Sequence, residues 1–294
     1  MMLLQSHGMS VHEQPGTFRH EDRRLAYRVY GDGPRVTVLL HGLLLSQRMH
    51  EPLAHALAER GNRVVTLDLR GHGRSDRPPD MWRYAMGFFA QDVVALLDHL
   101  GVDEAVVGGT SLGANTTLEV ASLAPERLRG MIIEMPVLDN ALLACTIFFT
   151  PLLVGLTFGE PVYKRFAALL RRIPQAPLPF YAGVGLDWFG QDPGPSAAVI
   201  QGIFFGRVAP HRTERRTFEA PALVIGHHRD PIHPFSDAGM LADELPNGRL
   251  LEAESLIELR MAPERLTEEI ADFVEQAWKP RRAGGSRGRR AAAS

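Results

Sequence analysis

Cysteine is almost absent from this sequence of 294 residues, and Cys145 is the only one. A single cysteine excludes a disulfide within the chain, as expected for a protein of a reducing compartment. The first residues supply only four apolar side chains before a polar run, too few for the hydrophobic stretch of a secretory signal. Both observations predict a cytoplasmic protein.

An excess of positive charge is also lacking. The chain has 32 basic and 34 acidic residues, and the segment 279–294 contains six of the basic residues and no acidic one. The rest of the chain is therefore acidic, which argues against nucleic acid as a partner. The segment 279–294 is rich in Gly, Ala and Arg, and we expect it to be a disordered basic tail.

Apolar runs typical of strands alternate with helical patterns over much of the chain. Strands are predicted at 25–30, 35–40, 63–69, 104–109, 130–137, 221–226 and 249–253, and helices at 47–60, 88–100, 112–123 and from Pro263 onward. This alternation predicts an α/β fold with a mostly parallel central sheet and helices on both faces. The pattern is interrupted from about residue 139 to residue 218.

One predicted strand is joined to the next helix by the segment GGTSLGA, residues 108–114. Gly109 and Gly113 lie two residues on either side of Ser111, and this spacing allows a tight turn that holds the serine hydroxyl clear of the sheet. We therefore predict that Ser111 is a nucleophile. The spacing is not G-x-G-x-x-G and no lysine follows Gly113, so no nucleotide cofactor is expected. Nor is a metal, since His227 and His228 are adjacent and lack an accompanying ligand cluster.

The sequence resembles the α/β-hydrolase fold family over residues 18–278. The resemblance rests on four motifs: His41-Gly42 after a strand, DLRGHGRSDRP at 68–78, the GTSLG turn, and GHHRDPIHP at 226–234. It implies an α/β-hydrolase core formed by residues 18–138 and 219–278, an inserted helical cap at 139–218 and a flexible N-terminus at 1–17.

The resemblance also implies roles for individual residues. Asp230 matches the family's catalytic acid, and the backbone N–H groups of Leu43 and Leu112 match the donors that stabilise an oxyanion. The loop histidines His41 and His72 are expected to be structural.

The catalytic histidine of the family normally follows the last strand, and here it is missing. Aligning Pro263-Glu264 with the family motif sets Leu256 at the histidine position, and no histidine follows His233. The base has moved to His233, or it has been lost, or the chemistry is different. The short spacing from Asp230 argues against a straightforward triad and favours a Ser111–His233 dyad. An ordinary loop histidine before Pro234 is the other interpretation of His233, and His211 is a further candidate base.

The insertion contains an uncharged run of 18 residues, 141–158. We interpret it as a lid helix over an apolar ligand rather than a segment stably inserted in a membrane. The leading functional prediction is hydrolysis of an ester or thioester of a hydrophobic small molecule. The alternative is a non-hydrolytic or impaired protein on the same scaffold, such as a ligand-binding protein, a cyclase or a lyase-like enzyme. The oligomeric state is left open.

Overall fold

The computed structural model describes residues 11–174 and 178–280. The strands of these ranges are β1 (Glu13–His20), β2 (Arg23–Tyr30), β3 (Arg35–Leu40), β4 (Asn62–Leu67), β5 (Ala105–Thr110), β6 (Leu128–Glu134), β7 (Ala222–His227) and β8 (Gly248–Ala253). The α-helices are α1 (Glu51–Glu59), α2 (Met86–His99), α3 (Leu112–Leu123), α4 (Leu142–Phe158), α5 (Glu160–Leu170), α6 (Phe180–Phe189), α7 (Pro193–Phe204), α8 (Arg212–Arg215), α9 (Phe235–Glu244), α10 (Glu258–Met261) and α11 (Glu264–Ala277).

The eight strands form one sheet in the order β1-β2-β4-β3-β5-β6-β7-β8. Strands β1, β2 and β4 pair antiparallel at one side, and every pair from β4 to β8 is parallel. The predicted α/β fold with a mostly parallel sheet is confirmed. In such a sheet the carboxyl ends of neighbouring parallel strands meet at one edge, where ligands bind in open α/β sheets.

Helices bury both faces of the sheet. Because side chains alternate along each strand, every strand contributes to both of these buried layers. On β3, Val38 and Leu40 pack with the apolar side chains of α2, α3 and α9. Leu39 points to the opposite face and packs in a second cluster with α1 and α11, which includes Leu57 and Ile270. The sheet is therefore a central layer between two layers of helices.

Helices α4 to α8 lie between β6 and β7, inside the range 139–218 where we expected a cap. The beginning of this inserted segment is held by Asp237, a fully buried residue of α9. The Asp237 carboxylate accepts hydrogen bonds from the backbone N–H groups of Leu138, Asn140 and Ala141 at 2.9, 3.2 and 3.1 Å. Asn115 of α3 donates to the backbone oxygens of Val137 and Val208, and so joins both ends of the segment.

The N-terminal region differs from the expectation of a flexible segment at 1–17. Strand β1 begins at Glu13 and pairs with β2 in a register that joins Glu13 to Tyr30. Residues 1–10 lie outside the described residues, as do residues 281–294 of the predicted basic tail.

Among the helices of the described residues, none alone has the length and apolar composition needed to cross a membrane. Helices α4 and α5 together would meet both criteria, but the chain bends by 97° between them.

The anchor at Asp237 can be tested by Asp237→Ala. The substitution leaves the backbone N–H groups of Leu138 and Asn140 without their acceptor and removes one of two acceptors of the Ala141 N–H, so we expect the free energy of unfolding to fall by about 2–5 kcal/mol. Asp243→Ala, an exposed position of the same helix, is the matched control and should change it by less than about 0.5 kcal/mol. Urea denaturation followed by circular dichroism measures both. Equal stability of the two variants would contradict the anchoring role.

Candidate active site

Ser111 lies in a sharp turn between β5 and α3. Its backbone has φ 53° and ψ −107°, a conformation that residues with a side chain rarely adopt. A Cβ atom at Gly109 or Gly113 would lie only 2.3 or 2.1 Å from the backbone oxygen of Leu40. The two glycines are therefore required for this close approach, and the turn directs the serine side chain away from the sheet.

Asp230 lies in the loop that follows β7, and only 3% of its side chain is exposed. Its Oδ1 atom accepts hydrogen bonds from the backbone N–H groups of Ile232 and His233 at 2.8 and 2.9 Å. These two bonds fold the loop back over the carboxylate. As a result, the imidazole of His233 lies against the carboxylate of Asp230.

His233 bridges the other two residues. Its Nδ1 atom is 2.9 Å from Asp230 Oδ2, and its Nε2 atom is 2.9 Å from Ser111 Oγ. An ionised carboxylate can only accept a hydrogen bond, so Nδ1 carries the proton and Nε2 accepts from the serine hydroxyl. The expectation that a spacing of three residues disfavours this arrangement is wrong, because the loop folds back at Asp230.

The charge state of Asp230 fits this geometry. Burial by itself raises the pKa of the carboxyl group, but hydrogen bonds from the His233 side chain and from two backbone N–H groups outweigh burial. The pKa of Asp230 is therefore below its ordinary value. The group stays ionised at neutral pH and can hold the imidazole in one orientation.

Ser111 and His233 open into a cavity of about 280 Å³. Its remaining lining is apolar apart from Asn115 and Thr146, and comes from both the core and the inserted segment: Leu43, Met86, Leu112, Val137, Leu142, Cys145, Phe149, Ile203, Phe204, Phe205 and Val208. The inserted segment thus lines the same cavity as Ser111. The lining includes no Asp, Glu, Lys or Arg side chain, so the cavity suits an uncharged apolar molecule.

The two residues expected to supply oxyanion donors, Leu43 and Leu112, both line this cavity. Leu112 is the first residue of α3, where a backbone N–H group has no acceptor within the helix. The loop that contains Leu43 is held by His41, which is fully buried. The Nε2 atom of His41 accepts from the backbone N–H of Leu69 at 3.0 Å, and Nδ1 donates to the backbone oxygen of Gly42 at 2.8 Å.

Three other residues considered from the sequence do not line this cavity. His72 is buried and its Nδ1 atom donates to the backbone oxygen of Arg70 at 2.9 Å, which fits a structural role. His211 is exposed and caps the short helix α8. Leu256 lies between β8 and α10, is 37% exposed and does not line the cavity.

A buried ionic cluster behind Ser111 was not predicted from the sequence. Glu134, at the end of β6, contacts Arg260 Nη2 at 2.7 Å and His227 Nε2 at 3.2 Å. Its carboxylate also accepts a hydrogen bond from Thr110, the residue before the serine. The backbone oxygen of Glu134 accepts from the N–H of Ser111 at 2.9 Å. Glu134 therefore supports the turn at Ser111 through both its side chain and its backbone.

The pKa values of this cluster are shifted in the directions expected for a buried ion pair. Burial raises the pKa of Glu134, but Arg260, His227 and Thr110 lower it more strongly, so the group is ionised far below neutral pH. Burial lowers the pKa of His227, but the bond to Glu134 outweighs it and leaves that pKa raised. No signal in the sequence links these residues, which the order of the strands brings together.

A second and larger cleft of about 1160 Å³ lies elsewhere, and none of Ser111, Asp230 and His233 lines it. Several of its charged residues are already paired, such as Arg28 with Glu13 and Arg77 with Asp192. Within the described ranges there is no group of three or more His, Cys, Asp or Glu residues arranged to hold a metal ion. The apolar cavity at Ser111 is therefore the better candidate for the site of chemistry.

The ionic cluster predicts a pH-dependent effect of Arg260→Met. The substitution leaves the buried Glu134 carboxylate without its arginine, so at pH 7 the free energy of unfolding should fall by about 3–5 kcal/mol. Because the pKa of Glu134 is depressed in the folded protein, this contribution is present above the ordinary value of 4.5 and fades as the pH falls below it. Urea unfolding at pH 7 and pH 3 measures how far the difference in stability between Arg260→Met and the wild type narrows.

The control for this prediction is Arg249→Met, which breaks an exposed ion pair with Glu269. It should cost no more than about 1 kcal/mol at either pH. A difference between Arg260→Met and the wild type that stays constant from pH 7 to pH 3 would contradict the ionic role of Glu134.

Part of the chain is similar to known proteins. The model of the alpha/beta hydrolase fold family matches residues 36–178. Bifunctional epoxide hydrolase 2 of Sus scrofa is 34% identical over 108 residues, 37% of this chain and 19% of that protein. Zearalenone hydrolase of Cladophialophora bantiana is 36% identical over 113 residues, 37% of this chain and 42% of that protein. The matches thus span less than half the length of either relative.

The solved structures extend the similarity to most of the chain. The enol-lactonase from Burkholderia xenovorans LB400 superposes with a TM-score of 0.71 at 23% identity, covering 88% of this chain and 100% of the other. At this identity the likeness defines the fold alone. Together with the sheet order and the serine turn, it shows that this chain has the α/β-hydrolase fold.

Proposed function

We propose that this protein hydrolyses an ester or thioester bond of a hydrophobic small molecule, with Ser111 as the nucleophile. The observation that carries the proposal is the continuous line of hydrogen bonds from Asp230 through His233 to Ser111, with 2.9 Å at each of the two steps. A serine hydroxyl is a weak nucleophile unless a base takes its proton, and His233 Nε2 is oriented to do so.

The chemistry follows from these positions. Ser111 Oγ attacks the acyl carbon while its proton passes to His233, and the imidazolium is stabilised by the ionised Asp230. The negative charge on the carbonyl oxygen is stabilised by the N–H groups of Leu43 and Leu112. His233 then gives the proton to the leaving alcohol or thiol. Water deprotonated by the same imidazole attacks the acyl-serine, and the proton returns to Ser111 as the acid is released.

The substrate class is inferred from the cavity. Its lining carries no acidic or basic side chain, and its volume of about 280 Å³ suits a small apolar acyl compound. Two of the similar proteins are by name a zearalenone hydrolase and an enol-lactonase. A cyclic ester is therefore a reasonable member of the class to test first.

The alternative, a non-hydrolytic or impaired protein, rested on the missing histidine after the last strand. The position of His233 between Asp230 and Ser111 supports hydrolysis over that alternative. A base supplied by the loop after β7 needs no histidine at Leu256.

The nucleophile can be tested with a fluorophosphonate probe. Because Ser111 is hydrogen-bonded to an imidazole, we expect rapid covalent labelling at neutral pH, detected by intact-protein mass spectrometry. Ser111→Ala should abolish the label and p-nitrophenyl ester hydrolysis. Ser122→Ala removes a different serine, one bonded to Glu214, and should leave labelling unchanged. Labelling that persists in Ser111→Ala would exclude this serine as the nucleophile.

The base can be tested by comparing His233→Ala with Leu256→His. Loss of the imidazole should reduce kcat/KM for a p-nitrophenyl ester by about 10⁴- to 10⁶-fold. His228→Ala, which changes an exposed histidine of the same loop, is the control and should alter it by less than about threefold. Leu256→His should not raise the rate, since His233 already contacts Ser111.

The double variant His233→Ala/Leu256→His separates the two histidine positions. We expect it to stay as inactive as His233→Ala, because Leu256 does not line the cavity. Recovery of activity by about tenfold or more in the double variant would instead assign the base to the loop after β8.

A further inference from the structure

Helices α4 and α5 present an exposed apolar surface that the proposed chemistry does not use. Among the described residues, seventeen large hydrophobic side chains are exposed, and ten of them lie between residues 142 and 173. The most exposed is Phe158, at 83%, at the corner where the two helices meet. Contiguous apolar surface of this kind marks a binding face in soluble proteins.

Four of the six large apolar residues exposed on α4 follow one side of the helix. Leu143, Ile147, Val154 and Phe158 are 71, 66, 50 and 83% exposed, and their spacing of four, seven and four residues sets them on one stripe. The opposite side contains Cys145 and Leu156, which are buried. Helix α4 is therefore apolar on both sides, with one side towards the protein and the other towards solvent.

Helix α5 continues the surface and adds positive charge. Val162, Phe166 and Leu169 are 68, 46 and 60% exposed and lie at positions i, i+4 and i+7 of one face. Arg165 precedes Phe166 on α5, and Arg172 lies two residues past the end of the helix; both are exposed. Residues 141–174 contain four basic residues and one acidic residue, although the whole chain has a net charge of −2.

We propose that this face, formed by the exposed apolar residues of α4 and α5 with Arg165 and Arg172, docks on the surface of an anionic phospholipid bilayer. Apolar side chains enter the boundary between headgroups and acyl chains, while the arginines contact lipid phosphates. Charge complementarity favours this occupant over a second copy of the chain. In a symmetric dimer through this face, the arginines of both copies would approach each other.

The docking would be peripheral, because the chain bends by 97° between α4 and α5. It would also place α4 between the lipid and the cavity, since Leu142, Cys145 and Phe149 of the same helix line the cavity. The proposal concerns where the protein lies and does not depend on the chemistry of Ser111.

The test is flotation of the full chain with vesicles of phosphatidylcholine alone or with 30% phosphatidylglycerol. We expect binding to the anionic vesicles, weaker binding at 0.5 M NaCl because salt screens the arginines, and little binding to phosphatidylcholine alone. Arg165→Glu/Arg172→Glu and Ile147→Ser/Phe158→Ser should each lower the partition coefficient by about tenfold or more. Leu123→Ser, which is 49% exposed on α3, is the control and should bind like the wild type.

Each variant keeps residues 279–294, so a loss of binding is attributable to α4 and α5 rather than to the basic tail. A variant is shown to be folded by cooperative thermal unfolding together with unchanged hydrolysis of a water-soluble p-nitrophenyl ester. Vesicle binding is measured separately, because a protein without esterase activity can still bind vesicles. Three results would overturn the proposal: no binding by the wild type, equal binding by the variants, or resistance of the bound protein to carbonate extraction. A concentration-dependent dimer, lost in Ile147→Ser/Phe158→Ser and without vesicle binding, would assign the face to a second copy instead.

Discussion

The candidate site depends on the close approach of the turn around Ser111 to strand β3. The backbone oxygen of Leu40 would lie only 2.3 and 2.1 Å from Cβ atoms at Gly109 and Gly113, so only glycine allows α3 to begin at this point. This packing holds Ser111 at a positive φ and directs its hydroxyl towards the cavity. The serine is thus positioned by the backbone of the sheet. His233 and Asp230 have to be placed relative to this fixed hydroxyl.

The fold could be predicted where buried parallel strands read as uninterrupted apolar runs. The bounds of β3 at Arg35–Leu40 and of α3 at Leu112–Leu123 agree with the sequence pattern, because both faces of the central strands are covered. Strand β1 was not predicted. Its sequence EQPGTFRH contains Pro15 and Gly16, which weaken the strand pattern, and such residues are tolerated at a sheet edge.

The site was predictable only as far as local spacing determines it. Two glycines around Ser111 and the position of Asp230 after an apolar strand are local signals. The position of His233 is not, because it depends on the two backbone hydrogen bonds by which Asp230 Oδ1 folds the loop. The contact between Glu134 and Arg260 joins residues 126 positions apart, and no periodicity in the sequence indicates it.

In the proposed mechanism, acid and base belong to one loop, and this changes which contacts determine the geometry of the site. The distance between Asp230 and His233 is set within four residues, so only the distance from His233 to Ser111 depends on the packing of β7 against the rest of the sheet. The segment after β8 then needs no histidine and supplies Arg260. Arg260 contacts both Glu134 and Thr110, and the backbone of Glu134 accepts the N–H of Ser111. The segment after β8 therefore helps to position Ser111 through Arg260 and the backbone of Glu134, rather than through a histidine.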